Sequence, residues 1–92
     1  MILYHITDKN NLPRIKKEGL KLRYNKIFLS QDPYFWQGIF NAEGKGHYDN
    51  FSILKVNVAY KNLKVTQILD NCIIEAQYFK PIKKLEVIKC GT

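Results

Sequence analysis

The sequence predicts an α+β domain with two short helices followed mainly by strands. Three observations carry this. Two proline-headed helix entries, Asn10-Asn11-Leu12-Pro13 and Asp32-Pro33, lie in the first half. Alternating apolar rows run through the second half, clearest over residues 51–60 and 72–79. The chain has 92 residues, enough for one domain with one small core and a radius of gyration of roughly 12 Å.

The elements follow in order. Residues 2–5 (ILYH) are short and apolar and read as a first strand. Asn is a good helix cap and Pro13 is tolerated in a first turn, so a helix starts there. Leu12, Ile15 and Leu20 give its partial apolar stripe, with Arg14, Lys16, Lys17 and Glu18 outside. Gly19 closes it, where a left-handed residue is needed. Residues 26–30 (KIFLS) form a second short strand. Asp32 caps the next helix and Pro33 opens it, although Gly38 weakens the helix over YFWQGIFNA. Residues 43–50 (EGKGHYDN) are polar and read as a loop.

In the strand over 51–60, Leu54, Val56, Val58 and Tyr60 share one face, and Ser52 extends that row. Residues 61–70 carry no clear period. Cys72, Ile74, Ala76 and Tyr78 face one way; Ile73, Glu75, Gln77 and Phe79 face the other. Pro81 ends that strand, and residues 85–90 (LEVIKC) are the last.

Composition narrows the function classes. Fifteen basic against eight acidic residues leave +7, which favours anionic partners: phosphate-bearing small molecules, nucleic acid or an acidic protein surface. Heavy use of Lys, Asn and Ile is equally what an AT-rich genome produces. No 18-residue apolar run exists and the start lacks a signal-peptide pattern, so a cytoplasmic location and no membrane are expected. Cys72 and Cys90 lie in apolar, strand-like stretches and read as buried thiols; no spacing suggests zinc or another metal.

Four features bear on chemistry. His5 ends the opening strand, near Thr7, Asn11 and the first helix. Such a His commonly makes only a structural hydrogen bond. Glu75 interrupts an apolar strand, where a carboxylate is costly unless paired or solvated. It marks either an edge strand with one wet face or a carboxylate aimed into a cleft. Of Phe28, Tyr34, Phe35, Trp36, Phe40 and Tyr48, most are expected in the core, with one or two left to stack on a planar ring. Gly44-Lys45-Gly46-His47 lacks the phosphate-loop pattern and reads as a flexible turn. Lys16-Lys17 and Lys83-Lys84 read as solvated faces, with nucleic-acid contact as the alternative.

The order of these features carries more than any one of them. Tyr4-His5-Ile6-Thr7, then Asn11-Leu12-Pro13-Arg14-Ile15, then Glu18-Gly19-Leu20, resembles the opening of ADP-ribosyltransferase-fold proteins. The DNA-modifying ADP-ribosyltransferase toxins are the most similar, and the RNA 2′-phosphotransferases share a looser version. Ile27-Phe28-Leu29-Ser30 and residues 53–58 resemble the family's next strands. Glu75-Ala76-Gln77-Tyr78-Phe79 and the strand behind it resemble the late strand that carries the catalytic Glu, so the likeness spans most of the chain.

That resemblance implies a small ADP-ribosyltransferase-like fold with a mainly antiparallel split sheet, in one domain over residues 1–92. It implies a mono-ADP-ribosyltransferase that uses NAD, with a nucleic-acid base or a protein side chain as acceptor. Glu75 matches the catalytic Glu. His5 matches the His that bonds a ribose hydroxyl of NAD, with Thr7 and Asn11 as polar positions beside it. Phe28 stands where several members place a nicotinamide-packing Tyr, and Ser30 follows it in the same site. Arg23 is placed near the diphosphate or the leaving group. Some members carry Gln or Glu two residues before the catalytic Glu, which helps select an Arg acceptor; here that position is Ile73.

The alternative is the same fold without catalysis, a small binding or inhibitory protein, viral origin included. The sequence is shorter than most members, so substrate-recognition loops are absent or supplied elsewhere, and this and the +7 charge support that reading. RNA 2′-phosphate transfer fits less well, because Arg14 and Arg23 are the only arginines.

Overall fold

The computed structural model describes residues 1–44 and 50–91. Strand β1 (Ile2–Asp8) leads through a 3-10 turn (Lys9–Asn11) into helix α1 (Leu12–Glu18). Strand β2 (Ile27–Leu29), helix α2 (Pro33–Ala42) and strand β3 (Phe51–Asn57) follow. A second 3-10 turn (Tyr60–Asn62) precedes β4 (Leu63–Leu69), β5 (Cys72–Tyr78) and β6 (Glu86–Lys89). The α+β class is as expected: the described residues form two helices and two antiparallel three-stranded sheets, ordered β1-β3-β6 and β2-β5-β4.

Local chemistry explains the helices. The Asp32 carboxylate accepts the Phe35 amide at 3.1 Å, and Pro33 needs no partner for the hydrogen it lacks. At α1 the capping falls elsewhere than expected. Asp8 accepts the Asn10 amide at 2.8 Å and starts the 3-10 turn, while Asn11 makes no side-chain cap and donates to Thr7 Oγ1 at 3.1 Å. Gly19 ends α1 at φ 79°, and its amide donates to the Ile15 oxygen at 2.7 Å. Only glycine fits there. A Cβ would lie 2.6 Å from the Ile82 oxygen, the atom that also accepts the Leu20 amide.

One aliphatic core joins the two sheets. Leu3, Leu54 and Val56 come from the first, Ile27, Leu29 and Tyr78 from the second, and Leu12 and Ile15 from α1. The observed radius of gyration is 12.5 Å. The expectation that most of the aromatic residues lie in this core is overturned. Phe28 and Tyr34 are exposed, and Phe35, Trp36 and Phe40 are half-buried. The strand rows already fill the interior with branched aliphatics. The α2 rings instead form a chain at the rim, reaching Phe51 through Phe40 at 5.8 Å between centroids. Tyr48 and Lys45-Gly46-His47 of the expected loop lie outside the described residues.

Other expectations are also corrected. β1 continues past His5 to Asp8, because every residue of it pairs with β3. β3 stops at Asn57, and Tyr60, 66% exposed, sits in a turn rather than on the buried face. Residues 63–69 are a strand whose apolar period is hidden because nothing covers it: six of its seven residues are exposed. Its turn to β5 uses Asp70 and Asn71, both at positive φ, as tight hairpins require. The thiols are not buried. Cys72 is half-buried at the turn end of that hairpin, and Cys90 is exposed after the sheet-edge strand β6. Among the described residues, no helix is long and apolar enough to cross a membrane.

Candidate active site

β1 turns from core strand into cleft wall within one row of side chains. Leu3, His5 and Thr7 share a face, opposite Val56, Leu54 and Ser52 of β3. Leu3 is fully buried, while His5 and Thr7 are half-buried and line a cleft of about 1080 Å³. Asn11 and Arg14 line it too, as do residues 18–24 and 26–30.

All seven residues singled out in the sequence border this one cleft: His5, Thr7, Asn11, Arg23, Phe28, Ser30 and Glu75. They come from β1, the first turn, the loop before β2, β2 itself, the residue after it and β5. Glu75 is on the central strand of its sheet, not an edge, and is half-buried.

The contacts divide these residues into free and committed groups. His5 Nδ1 lies 2.8 Å from the Phe28 carbonyl oxygen, which can only accept, so Nδ1 carries the proton. In the neutral ring Nε2 is then a bare acceptor. Although the residue keeps some exposed area, its ring is closely surrounded by protein. That burial pushes the imidazolium down from its ordinary 6.5, and the bond to Phe28 pulls partly the other way. Ser30 is buried and its hydroxyl is spent: it accepts the Asp32 amide at 2.9 Å and donates to the Ile73 oxygen at 3.4 Å. Phe28, by contrast, is 48% exposed.

Sequence reasoning missed several members. Trp36 lines the cleft without filling it, its indole N–H donating to the Ile74 oxygen at 2.6 Å. Lys21, Tyr24 and Lys26 join Arg23 on the rim. Arg23 and Lys26 exchange backbone hydrogen bonds at 2.9 and 3.2 Å, which makes a tight turn with Tyr24 and Asn25 at positive φ. Tyr24 is 82% exposed, with the Arg23 guanidinium 5.7 Å from its ring. Lys26 Nζ stands 5.7 Å from the Phe28 ring. The Tyr24-Asn25 turn was signalled by Asn25, a residue that tolerates the left-handed region. Thr66, whose hydroxyl donates to Glu75 Oε1 at 2.7 Å, carried no signal, because its strand showed none.

The arrangement combines a neutral imidazole acceptor, a held carboxylate, exposed rings and a cationic rim around one cavity. Such a site can bind a planar, phosphate-bearing ligand and stabilise positive charge that develops on it. Compared with family models, with curated proteins and with solved structures, the chain matches none.

Proposed function

We propose that this chain is a small NAD-dependent mono-ADP-ribosyltransferase, a glycosyltransferase built on a minimal ADP-ribosyltransferase-like fold. The supporting observation is that His5 and Glu75, from opposite ends of the chain and from different sheets, border one cleft. Its volume of about 1080 Å³ is at the upper end of small-molecule sites, enough for a dinucleotide.

The chemistry follows from the residues. Breaking the nicotinamide–ribose bond builds positive charge on the ribose, as in glycoside hydrolysis. The Glu75 carboxylate stabilises that charge and takes the proton of the incoming nucleophile. His5 Nε2 accepts from a ribose hydroxyl, and the Phe28 ring stacks on nicotinamide. Arg23, with Lys21 and Lys26, offsets the diphosphate. On the acceptor side, the exposed Tyr24 ring beside Arg23 favours a nucleic-acid base over a protein side chain, since bases stack on such rings.

The test is incubation with labelled NAD and single-stranded nucleic acid or protein acceptors, comparing wild type with Glu75→Ala. The expected result is label transfer by wild type alone. Transfer that survives Glu75→Ala removes this residue from the mechanism.

A second reading, a binding or inhibitory protein without catalysis, is favoured by β4, whose Val65, Ile68 and Leu69 are exposed on a sheet-edge strand. Calorimetry separates the two: on this reading NAD does not bind.

A further inference from the structure

We infer that Thr66 is the positioning residue for the Glu75 carboxylate, holding one oxygen so that the other is left to meet the ribose. The inference rests on the role proposed for Glu75 above.

An irregularity in the strand pairing brings the two side chains together. Leu63, Lys64 and Val65 of β4 pair with Tyr78, Gln77 and Ala76 of β5, and Ile68 and Leu69 pair with Ile73 and Cys72 in the same register. Between them the ladder shifts twice, and the shifts cancel. The shifts pair Gln67 with Glu75 and leave Thr66 as the extra residue beside that pair, its hydroxyl within bonding distance of the Glu75 carboxylate. Irregularities of this kind re-aim side chains, and they recur next to active sites.

The contact is short and charge-assisted. Thr66 Oγ1 lies 2.7 Å from Glu75 Oε1, against 3.2 Å from the Glu75 backbone oxygen, so the single hydroxyl proton goes mainly to the carboxylate. Thr is stiff at χ1, which makes it a better holder than a freely turning hydroxyl. A carboxylate already fixed costs no reorganisation when charge develops beside it. With Oε1 taken, Oε2 remains for substrate. A cross-strand pair on an exposed strand contributes little to folding, so the effect belongs to turnover rather than to stability.

The experiment compares Thr66→Val, which keeps the shape and removes the donor, with Thr66→Ser, which keeps the donor. NAD turnover by Thr66→Val is expected to fall about tenfold in kcat with KM unchanged, and Thr66→Ser to stay within about twofold of wild type. In parallel, three-bond NMR couplings of the unliganded protein read the Glu75 side-chain rotamer. One rotamer is expected in wild type and Thr66→Ser, and averaging in Thr66→Val. Couplings that do not change in Thr66→Val overturn the inference, as does an unchanged kcat. If wild type itself neither binds nor turns over NAD, the proposed function falls alone, and the couplings still decide whether Thr66 holds Glu75.

Discussion

His5 of the first sheet is latched to the backbone of the second: its Nδ1 donates to the Phe28 carbonyl oxygen across 2.8 Å. This bond fixes the tautomer and sets a pH dependence. Burial holds the folded imidazolium below its ordinary 6.5, whereas the unfolded chain takes up the proton near that value. Below 6.5, down to the folded value, the unfolded state therefore binds more protons, and stability falls as pH drops through that window. Denaturant midpoints between about pH 7.5 and about pH 5.5 should fall more steeply in wild type than in His5→Asn, which keeps a donor but does not titrate. Parallel curves would count against a buried neutral His5.

Gly19→Ala should destabilise the fold by about 2–3 kcal/mol, because a left-handed φ and a backbone clash act together. The clash is with the Ile82 oxygen at 2.6 Å and the Lys83 Cα at 3.0 Å, neither of which can swing aside. Urea denaturation measures this, and a change within experimental error would mean that the Leu20–Ile82 bridge is not rigid.

Asp32→Ala should cost about 1 kcal/mol through loss of the cap on α2. The Phe35 amide loses its partner, and the rim of rings that α2 carries loosens with it. Thermal unfolding reads the stability, and Trp36 fluorescence reads the rim. Asp32→Ser should recover most of the loss.

Phe28→Ala separates binding from folding. The ring is half exposed, so stability should change by no more than about 0.5 kcal/mol. NAD affinity should fall roughly threefold to tenfold if the ring stacks on nicotinamide. Calorimetry showing unchanged affinity would take Phe28 out of the site.

The sequence was most legible where local chemistry decides the structure. Asp32, Pro33 and Gly19 act on backbone within a few residues of themselves, and the alternation from Cys72 to Tyr78 reflects a strand with one face in the core. It was least legible where neighbours decide. β4 has no covered face, so its residues carry no burial period, and Thr66 was hidden with it. The aromatic residues of α2 resembled core because their types are apolar, yet aliphatic strand rows had already taken the interior. The candidate residues were chosen in the sequence by type and order alone. That they border one cavity, and that Ser30 spends its hydroxyl on backbone, depends on which strands meet.

Tyr4 and Ser30 exchange backbone hydrogen bonds of 2.8 and 2.9 Å, and beside them His5 grips Phe28. These few bonds stitch two otherwise separate ladders, and the imidazole and the carboxylate stand on different sides of the stitching. The spacing of those two groups is therefore set at this junction, backed by the shared core, rather than within either sheet. Slow amide exchange at Tyr4 and Ser30 would mark a jaw held shut; fast exchange there, with β3 still protected, would mark one that breathes.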